Sequence, residues 1–301
     1  MTLSAVLIVL LSALAHAGWN LFGKKVSPSG AFFWYSTLWS GVLTLPVLIG
    51  AIDLLAHLDG RVWLLVILTG FFQATYLSAL AAAYRHGELS VVYPLARSSP
   101  LLILLVGTLF LGTAERITAV AVVGIVLIVA GCMVLPMQQF RDFRLANYRN
   151  LATLFALIAA ASTAGYSLVD DAATAWMRNL LAGLALDAEV ALVFVILQAW
   201  SALAWLTLGL SLQAKEREQL KALKGSWRST MAAGVLILGT YALVVWAMAY
   251  AEDVSYVVAF RQISIPMGVA LGWYFLGESL YPPKVLGVVI ILAGLMLVVL
   301  G

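Results

Sequence analysis

The sequence predicts an all-α membrane protein in which ten transmembrane helices form two inverted five-helix repeats. Of the 301 residues, 63% are hydrophobic and only 10% are charged, whereas a soluble domain carries about 25% charged residues. Apolar runs of about 18 residues, long enough to cross a bilayer as helices, follow one another along the chain. Segments of the first half also recur in the second half. Together these observations favour a repeated bundle of membrane helices.

The connections between the predicted spans are short, so nearly all of the chain is expected to lie in or near the bilayer. The predicted spans are 2–23, 30–51, 62–84, 89–111, 117–136, 151–169, 189–212, 229–250, 254–276 and 283–300. Residues 1–136 are predicted to form the first repeat, 137–150 a cytoplasmic linker and 151–301 the second repeat. The lone cysteine, Cys132, excludes an internal disulfide and a cysteine-based metal site, and no cofactor is expected.

Basic residues predict the orientation in the membrane. Odd-numbered connections hold Lys24, Lys25, Arg85, Arg141, Arg144, Arg149, Lys215, Arg217, Lys221, Lys224, Arg228 and Lys284, and even-numbered ones hold Arg61, Arg116 and Arg178. Positive-rich short loops stay in the cytoplasm, so both termini are expected outside. The net charge of +3 therefore reflects topology, and no nucleic-acid partner is expected.

Residues 172–185 form a separate segment in this interpretation. They are too short to span a bilayer once Arg178 is allowed for, and their apolar residues recur at helical spacing. This pattern is typical of an interfacial helix on the external face. The alternative is an irregular start to the seventh span.

The internal repeat is visible in three aligned segment pairs. They are 16–25 with 163–172, 83–100 with 249–266, and 110–131 with 275–294. The second pair aligns Arg97 with Arg261 and Pro100 with Pro266. Five spans per repeat force the second copy into the membrane with opposite orientation. Inverted repeats place a substrate site near the bilayer midplane, at their interface.

Several motifs resemble those of a known family. They are "HAGWN" at 16–20, "VYPLAR" at 92–97, "LGTAE" at 111–115 and "LGE" at 276–278. With the glycine pattern of the following helices, they resemble the drug/metabolite transporter superfamily, EamA type. The resemblance implies a ten-helix transporter fold. The first span lacks the membrane-embedded glutamate by which small multidrug relatives couple to protons, so their mechanism is not carried over.

Two arginines are predicted to lie inside membrane spans. Arg97 falls about eight residues into the fourth span, roughly 12 Å deep at the helical rise, and Arg261 enters the ninth span from the opposite face. An arginine at mid-membrane costs about 2.5–3.5 kcal/mol on insertion scales, so each should face a wet cavity or a partner. One reading is structural, in which each arginine caps carbonyls freed by Pro100 or Pro266 or extends to an interface.

The other reading is a site for an anionic or strongly polar ligand. A guanidinium can bind carboxylate or phosphate with two parallel hydrogen bonds. Asp170 and Asp171 fall at the end of a predicted span, so no acidic residue is expected at a depth comparable to that of the arginines. The absence of such a counter-ion favours a ligand.

Polar and aromatic side chains recur at helical spacing beside these arginines and predict one shared cavity. The expected substrate-binding residues are His16, Trp19, Asn20, Tyr76, Tyr93, Arg97, Tyr166, Tyr241, Arg261 and Gln262. Histidine titrates near neutral pH, so His16 is either the carrier of a coupling proton or a neutral hydrogen-bond partner. Pro94, Pro100 and Pro266 are predicted inside helices, where they permit bends, which makes spans four and nine the expected gates.

These features together predict a secondary transporter, an exporter or exchanger, that moves a small polar metabolite, anionic or zwitterionic, by alternating access. The alternatives are a membrane-embedded enzyme and a passive channel or scaffold. The enzyme alternative lacks the sequence motifs of a metalloprotease, a serine hydrolase or a P-loop, so no enzymatic activity is expected. The expected surroundings are the lipid bilayer of the plasma membrane, the inner membrane in a bacterium, with protons as a candidate coupling ion and a monomer or homodimer as the assembly.

Overall fold

The computed structural model describes residues 2–23, 29–86, 95–110, 112, 117–142, 150–223, 225–277 and 279–300, with the backbone alone at 17–23, 84, 214, 215, 222 and 276. Within these residues 86% are helical and no strand occurs. The predicted all-α class is therefore confirmed for the part of the chain that is described.

Thirteen α-helices make up the described part of the fold. In the first half they are α1 Leu3–Gly23, α2 Gly30–Gly50, α3 Ile52–Ala56, α4 Gly60–His86, α5 Ser99–Phe110 and α6 Ala119–Val134. In the second half they are α7 Leu151–Leu180, α8 Asp187–Ser211, α9 Ala214–Leu223, α10 Trp227–Met248, α11 Val254–Phe260, α12 Ser264–Leu276 and α13 Pro282–Leu300. Short 3₁₀ turns lie at Phe140–Asp142 and Arg261–Ile263.

Seven segments of the described chain are long and apolar enough to cross a membrane. They are Gly30–Gly50, Gly60–Ala83, Leu151–Leu180, Asp187–Ser211, Trp227–Met248, Val254–Phe275 and Pro282–Leu300. Three shorter apolar helices, Leu3–His16, Ser99–Phe110 and Ala119–Val134, fall in the other predicted spans. The protein is thus a multi-pass membrane protein, and the count of ten spans stays a prediction.

Side-chain caps explain where several helices begin. Ser29 accepts a hydrogen bond from the Phe32 amide at the start of α2, over 3.1 Å. Asn150 does the same for the Thr153 amide at the start of α7, over 2.9 Å. Such caps satisfy backbone donors that have no partner within the helix. They fix both starts within a residue of the sequence prediction.

Helix α7 is longer than the sequence predicts. It runs without interruption from Leu151 to Leu180, whereas the predicted span ended at residue 169 and a separate helix was expected from 172. The continuation is possible because Asp170, at the predicted end, is fully buried and hydrogen-bonded by three other helices. Residues 172–180 are therefore the last turns of α7.

The fourth and ninth predicted spans are broken at their arginines. Arg97 lies in a turn between helical residues 95–96 and the start of α5, and Arg261 begins the 3₁₀ turn between α11 and α12. Pro100 and Pro266 each lie in the first turn of the helix that follows. Both prolines thus lie within helices as expected, but in a first turn, where an amide donor is not needed. Pro94 lies outside the described residues.

Glycines allow close packing between the last helices of the two halves. A Cβ added to Gly124 would lie 2.6 Å from the Gly294 carbonyl oxygen, and one added to Gly131 would lie 2.7 Å from that of Gly287. Gly124 precedes Gly131 on α6, whereas their partners on α13 follow in the opposite order, Gly294 after Gly287. The two helices therefore run antiparallel. Small residues at such contacts let helix backbones approach closely in membranes.

Candidate functional site

A buried polar cluster joins four helices at the centre of the bundle. It consists of Thr69 on α4, Asp170 on α7, Gln198 on α8 and Tyr241 on α10, with exposed fractions of 0, 0, 3 and 6%. The Gln198 side-chain amide donates to both carboxylate oxygens, over 3.1 Å to Oδ1 and 2.9 Å to Oδ2. The Thr69 hydroxyl donates to Oδ1 and the Tyr241 hydroxyl to Oδ2. The carboxylate is thus held by donors from three other helices.

Asp170 corrects the expectation that no acidic residue lies deep in the bundle. The sequence interpretation ended its span at residue 169 and so placed Asp170 and Asp171 at a span end. Two signals pointed the other way. The residues after Asp171, Ala-Ala-Thr-Ala, favour helix, and Thr69 and Gln198 are polar residues in the middle of two other apolar spans.

Three tyrosines form a row beside this cluster. The ring centroids of Tyr166 and Tyr241 lie 5.7 Å apart, and those of Tyr76 and Tyr166 lie 5.8 Å apart, both edge to face. Such geometry is favourable because the positive ring edge meets the negative ring face. The structure therefore brings these three predicted site residues together from α4, α7 and α10.

Both predicted arginines lie next to these groups. The Arg261 guanidinium carbon lies 5.5 Å from the centre of the Tyr241 ring, within the range of a cation–π contact. Arg97 Nη1 donates to Gln262 Oε1 over 3.4 Å, and Gln262 is only 3% exposed. The positive charges of both arginines act on the partly buried His16 ring. Residues of both halves thus meet around one positive region.

Three predicted site residues remain without a structural account. Tyr93 lies outside the described residues, and of Trp19 and Asn20 only the backbone, in α1, is described. Their assignment to the site stays a prediction.

A pocket opens between α2, α4, α8 and α10, beside the buried cluster. Its walls include Phe33, Ser36, Thr37, Ser40, Gln73, Leu77, Gln198, Gly234 and Tyr241. Gln198 and Tyr241 therefore face the pocket and also contact Asp170. Neither Arg97 nor Arg261 is part of this wall, and Tyr241 connects the two regions, since Arg261 faces its ring. Sequence reasoning included Tyr241 in the site and missed Gln198.

Opposite ends of α4 carry polar contacts to other helices. At its C-terminal end, Arg85 forms an ion pair with Glu216 of α9, and Glu216 Oε2 also accepts from the Ala31 amide at the start of α2, over 3.2 Å. At the other end, Trp176 of α7 donates to Asp59 Oδ2 over 2.9 Å. The Trp176 hydrogen bond is the main cause that lowers the pKa of Asp59.

The described part of the chain holds no group of three or more His, Cys, Asp or Glu side chains that could bind a metal ion. The side chains of the cluster and of its neighbours offer hydrogen bonding and charge. The positive side of this arrangement is formed by arginines near tyrosine rings, and its negative side is the single buried carboxyl group of Asp170.

Comparisons with known proteins agree with the sequence resemblance. Residues 3–137 match the model of the EamA-like transporter family, which belongs to the drug/metabolite transporter superfamily. Among solved structures, a chain described as "Crystal structure of protein" is similar over 100% of this chain and 98% of its own length, with a TM-score of 0.72 and 18% identity. At this identity the likeness shows the fold alone. No curated protein matches the sequence.

Proposed function

We propose that this chain, whose residues 3–137 match the EamA-like transporter family, is a secondary transporter of a small anionic or zwitterionic metabolite. Proteins of this family are transporters rather than enzymes. The observation that carries the choice of substrate is the position of Arg97 and Arg261, each in a break immediately before a helix. We place the transporter in the plasma membrane, the inner membrane in a bacterium.

The two helix breaks favour an anionic group on the substrate. Amide groups at a helix start point away from the helix and carry a partial positive charge. The starts of α5 and α12 each lie within three residues of an arginine, Arg97 and Arg261 respectively. A guanidinium binds carboxylate or phosphate with two parallel hydrogen bonds, and the positive end of a helix dipole adds to that attraction. Broken helices of this kind are tolerated in membranes where they line a cavity.

The packing of the helices supports an arrangement as two inverted repeats. Helix α4 packs on α7 and on α8, while α10 packs on α1 and on α2. The first five predicted spans correspond in order to the last five, so α4 corresponds to α10, α7 to α1 and α8 to α2. The two sets of contacts are therefore equivalent. The pairing extends to single residues, because Gly70 lies against Ser201 of α8 and Gly234 lies against Ser36 of α2. Two such halves can rock against each other around a shared site, which is the movement that alternating access requires.

The contacts at the ends of α4 suit the gates of such a cycle. The Arg85–Glu216 pair bridges one end, and the Asp59–Trp176 hydrogen bond bridges the other. A transporter must open one end while the other stays closed, so these contacts should break in turn. Glu216 is only 2% exposed, and its pair is therefore the better shielded of the two.

Substrate counterflow in liposomes tests the proposed function. A thermal-shift screen against amino acids, nucleotides, sugar phosphates and phosphonates first identifies compounds that stabilise the purified protein. Liposomes that contain the protein and are loaded with such a compound should then take up the labelled compound transiently above its equilibrium level. A passive channel gives only equilibration, and an enzyme yields a changed product. Either outcome would overturn the transporter assignment.

A further inference from the structure

The carboxyl group of Asp170 has the wrong charge to bind an anionic group of a substrate, and it is the most completely buried acidic group at the centre of the described bundle. We propose that Asp170 is a proton-binding site whose occupancy is linked to substrate binding through Gln198 and Tyr241. The inference rests on the proposed transport function. It assigns the coupling proton to a residue that the sequence interpretation placed at a helix end.

The neighbours of Asp170 favour a proton over a metal ion or an ammonium group. A bound cation needs oxygen lone pairs directed towards it. Around Asp170 the side chains of Thr69, Gln198 and Tyr241 all donate hydrogen bonds to the carboxylate, so the lone pairs are already occupied. A proton needs no coordination shell of this kind, because it binds to one oxygen of the carboxylate itself.

Two of these neighbours can accommodate both protonation states without movement of heavy atoms. A hydroxyl group is a donor and an acceptor, and its hydrogen rotates to suit its partner. When water in the pocket transfers a proton to one oxygen of Asp170, the facing hydroxyl of Thr69 or Tyr241 turns. The hydroxyl then accepts a hydrogen bond from the new carboxylic O–H group. Thr69 Oγ1 already accepts from Gln198 Nε2, over 2.7 Å. When the proton returns to water, the hydroxyl donates again and the carboxylate is restored.

Several other ionisable groups lie beside the cluster. They are Tyr166 and Asp171 on α7, Tyr76 on α4, Tyr241 on α10 and Arg261 before α12, and α8 contributes the neutral Gln198. Phenols and guanidinium groups ordinarily keep their protons in this range. Asp171 is half-buried, next to Asp170 in sequence, and is therefore the matched control.

The pocket supplies the link between proton and substrate. Gln198 and Tyr241 line the pocket and also hold the Asp170 carboxylate. A substrate that takes hydrogen bonds from either side chain removes a donor from the carboxylate and so favours its protonated form. Linkage is reciprocal, so protonation of Asp170 must change substrate affinity by the same factor.

Infrared titration tests proton binding without any substrate. A protonated carboxyl group buried in a protein has a C=O stretching band that ionisation removes. The purified protein should lose such a band as the pH is raised, Asp170→Asn should lack it, and Asp171→Asn should retain it. A parent band that does not respond to pH, or one that persists in Asp170→Asn, overturns the proposal.

A second variant keeps the test valid if Asp170→Asn does not fold. Tyr241→Phe retains the carboxyl group and the aromatic ring but removes one donor to the ionised form. Loss of a hydrogen bond to a charged group should move the pH midpoint of the band upward by about one to two units. An unchanged midpoint in folded Tyr241→Phe would show that the band arises elsewhere and would overturn the proposal.

Transport assays then separate coupling from transport itself. In liposomes, Asp170→Asn should retain counterflow and lose uptake driven by a pH gradient, while Asp171→Asn keeps both. If His16 carries the proton instead, His16→Gln loses the driven uptake and Asp170→Asn keeps it, which overturns the proposal. Absence of counterflow in the parent would refute the transporter assignment, and the infrared result would still decide whether Asp170 binds a proton.

Discussion

Replacing the two arginines separates a substrate-binding role from a structural one. In this structure Arg97 Nη1 contacts Gln262 Oε1 at 3.4 Å, near the upper limit for a hydrogen bond. Loss of so long a bond should cost less than about 1 kcal/mol of stability. A charge-assisted hydrogen bond to an anionic substrate contributes about 1.5–3 kcal/mol, which corresponds to roughly tenfold to a hundredfold in affinity.

We therefore expect folded Arg97→Gln and Arg261→Gln to bind substrate about ten to a hundred times more weakly than the parent. Lysine keeps the charge and loses the planar fork, so Arg97→Lys should give an intermediate loss. Arg228→Gln is the matched control, since Arg228 is exposed and lies beside the Trp227 ring at the start of α10.

The assay is a binding isotherm for each variant with a compound from the thermal-shift screen, compared with its melting temperature. A structural role predicts a different pattern, with lower melting temperatures and unchanged affinity of the folded protein. If all the arginine variants bind like the parent, the reasoning is refuted, and the ligands must be sought among His16 and the tyrosine row.

Three further predictions concern topology, packing and pH. A reporter that works only outside the cell should be active when fused to the C-terminus. If that reporter is inactive and a reporter that works only in the cytoplasm is active, the topology predicted from the basic residues is contradicted. Gly124→Ala should lower the melting temperature, because its Cβ would lie 2.6 Å from a backbone oxygen of α13 and overpacking costs about 1–3 kcal/mol. The control is Gly268→Ala, which has open space around the added Cβ and should be neutral or slightly stabilising. Because the Trp176 hydrogen bond lowers the pKa of Asp59, its contribution to stability is present above the ordinary aspartate pKa and disappears as pH falls through the lowered value. The melting temperatures of the parent and Trp176→Phe should therefore converge in acid, and a constant difference would count against this contact.

Hydropathy predicted the helices well, because apolar length alone decides which segments enter a bilayer. The observed α2, Gly30–Gly50, and α8, Asp187–Ser211, lie within two residues of the predicted bounds. The arginines and tyrosines were singled out from sequence because each is unusual in an apolar run, and their role in binding stays a prediction. The breaks at Arg97 and Arg261 were missed, although Pro100 and Pro266 are compatible with the first turn of a helix, where proline is common.

The buried cluster could not be predicted in the same way. Asp170 is acceptable inside the bundle only because Thr69, Gln198 and Tyr241 donate to it. Those residues are separated from it by 101, 28 and 71 positions in the sequence, and no local pattern brings them together. A single sequence shows the polar residues and leaves their partners unknown.

The position of Asp170 also constrains how the chain enters the membrane during synthesis. An aspartate at the centre of a membrane helix costs about 2.5–3.5 kcal/mol on insertion scales, and two of its three partners, on α8 and α10, are made after α7. Only Thr69, on α4, already exists when α7 leaves the ribosome, and α4 and α7 pack closely along their lengths. Helix α7 should therefore enter the bilayer against α4 rather than alone, so this pair would be among the first contacts between the two halves of the nascent protein.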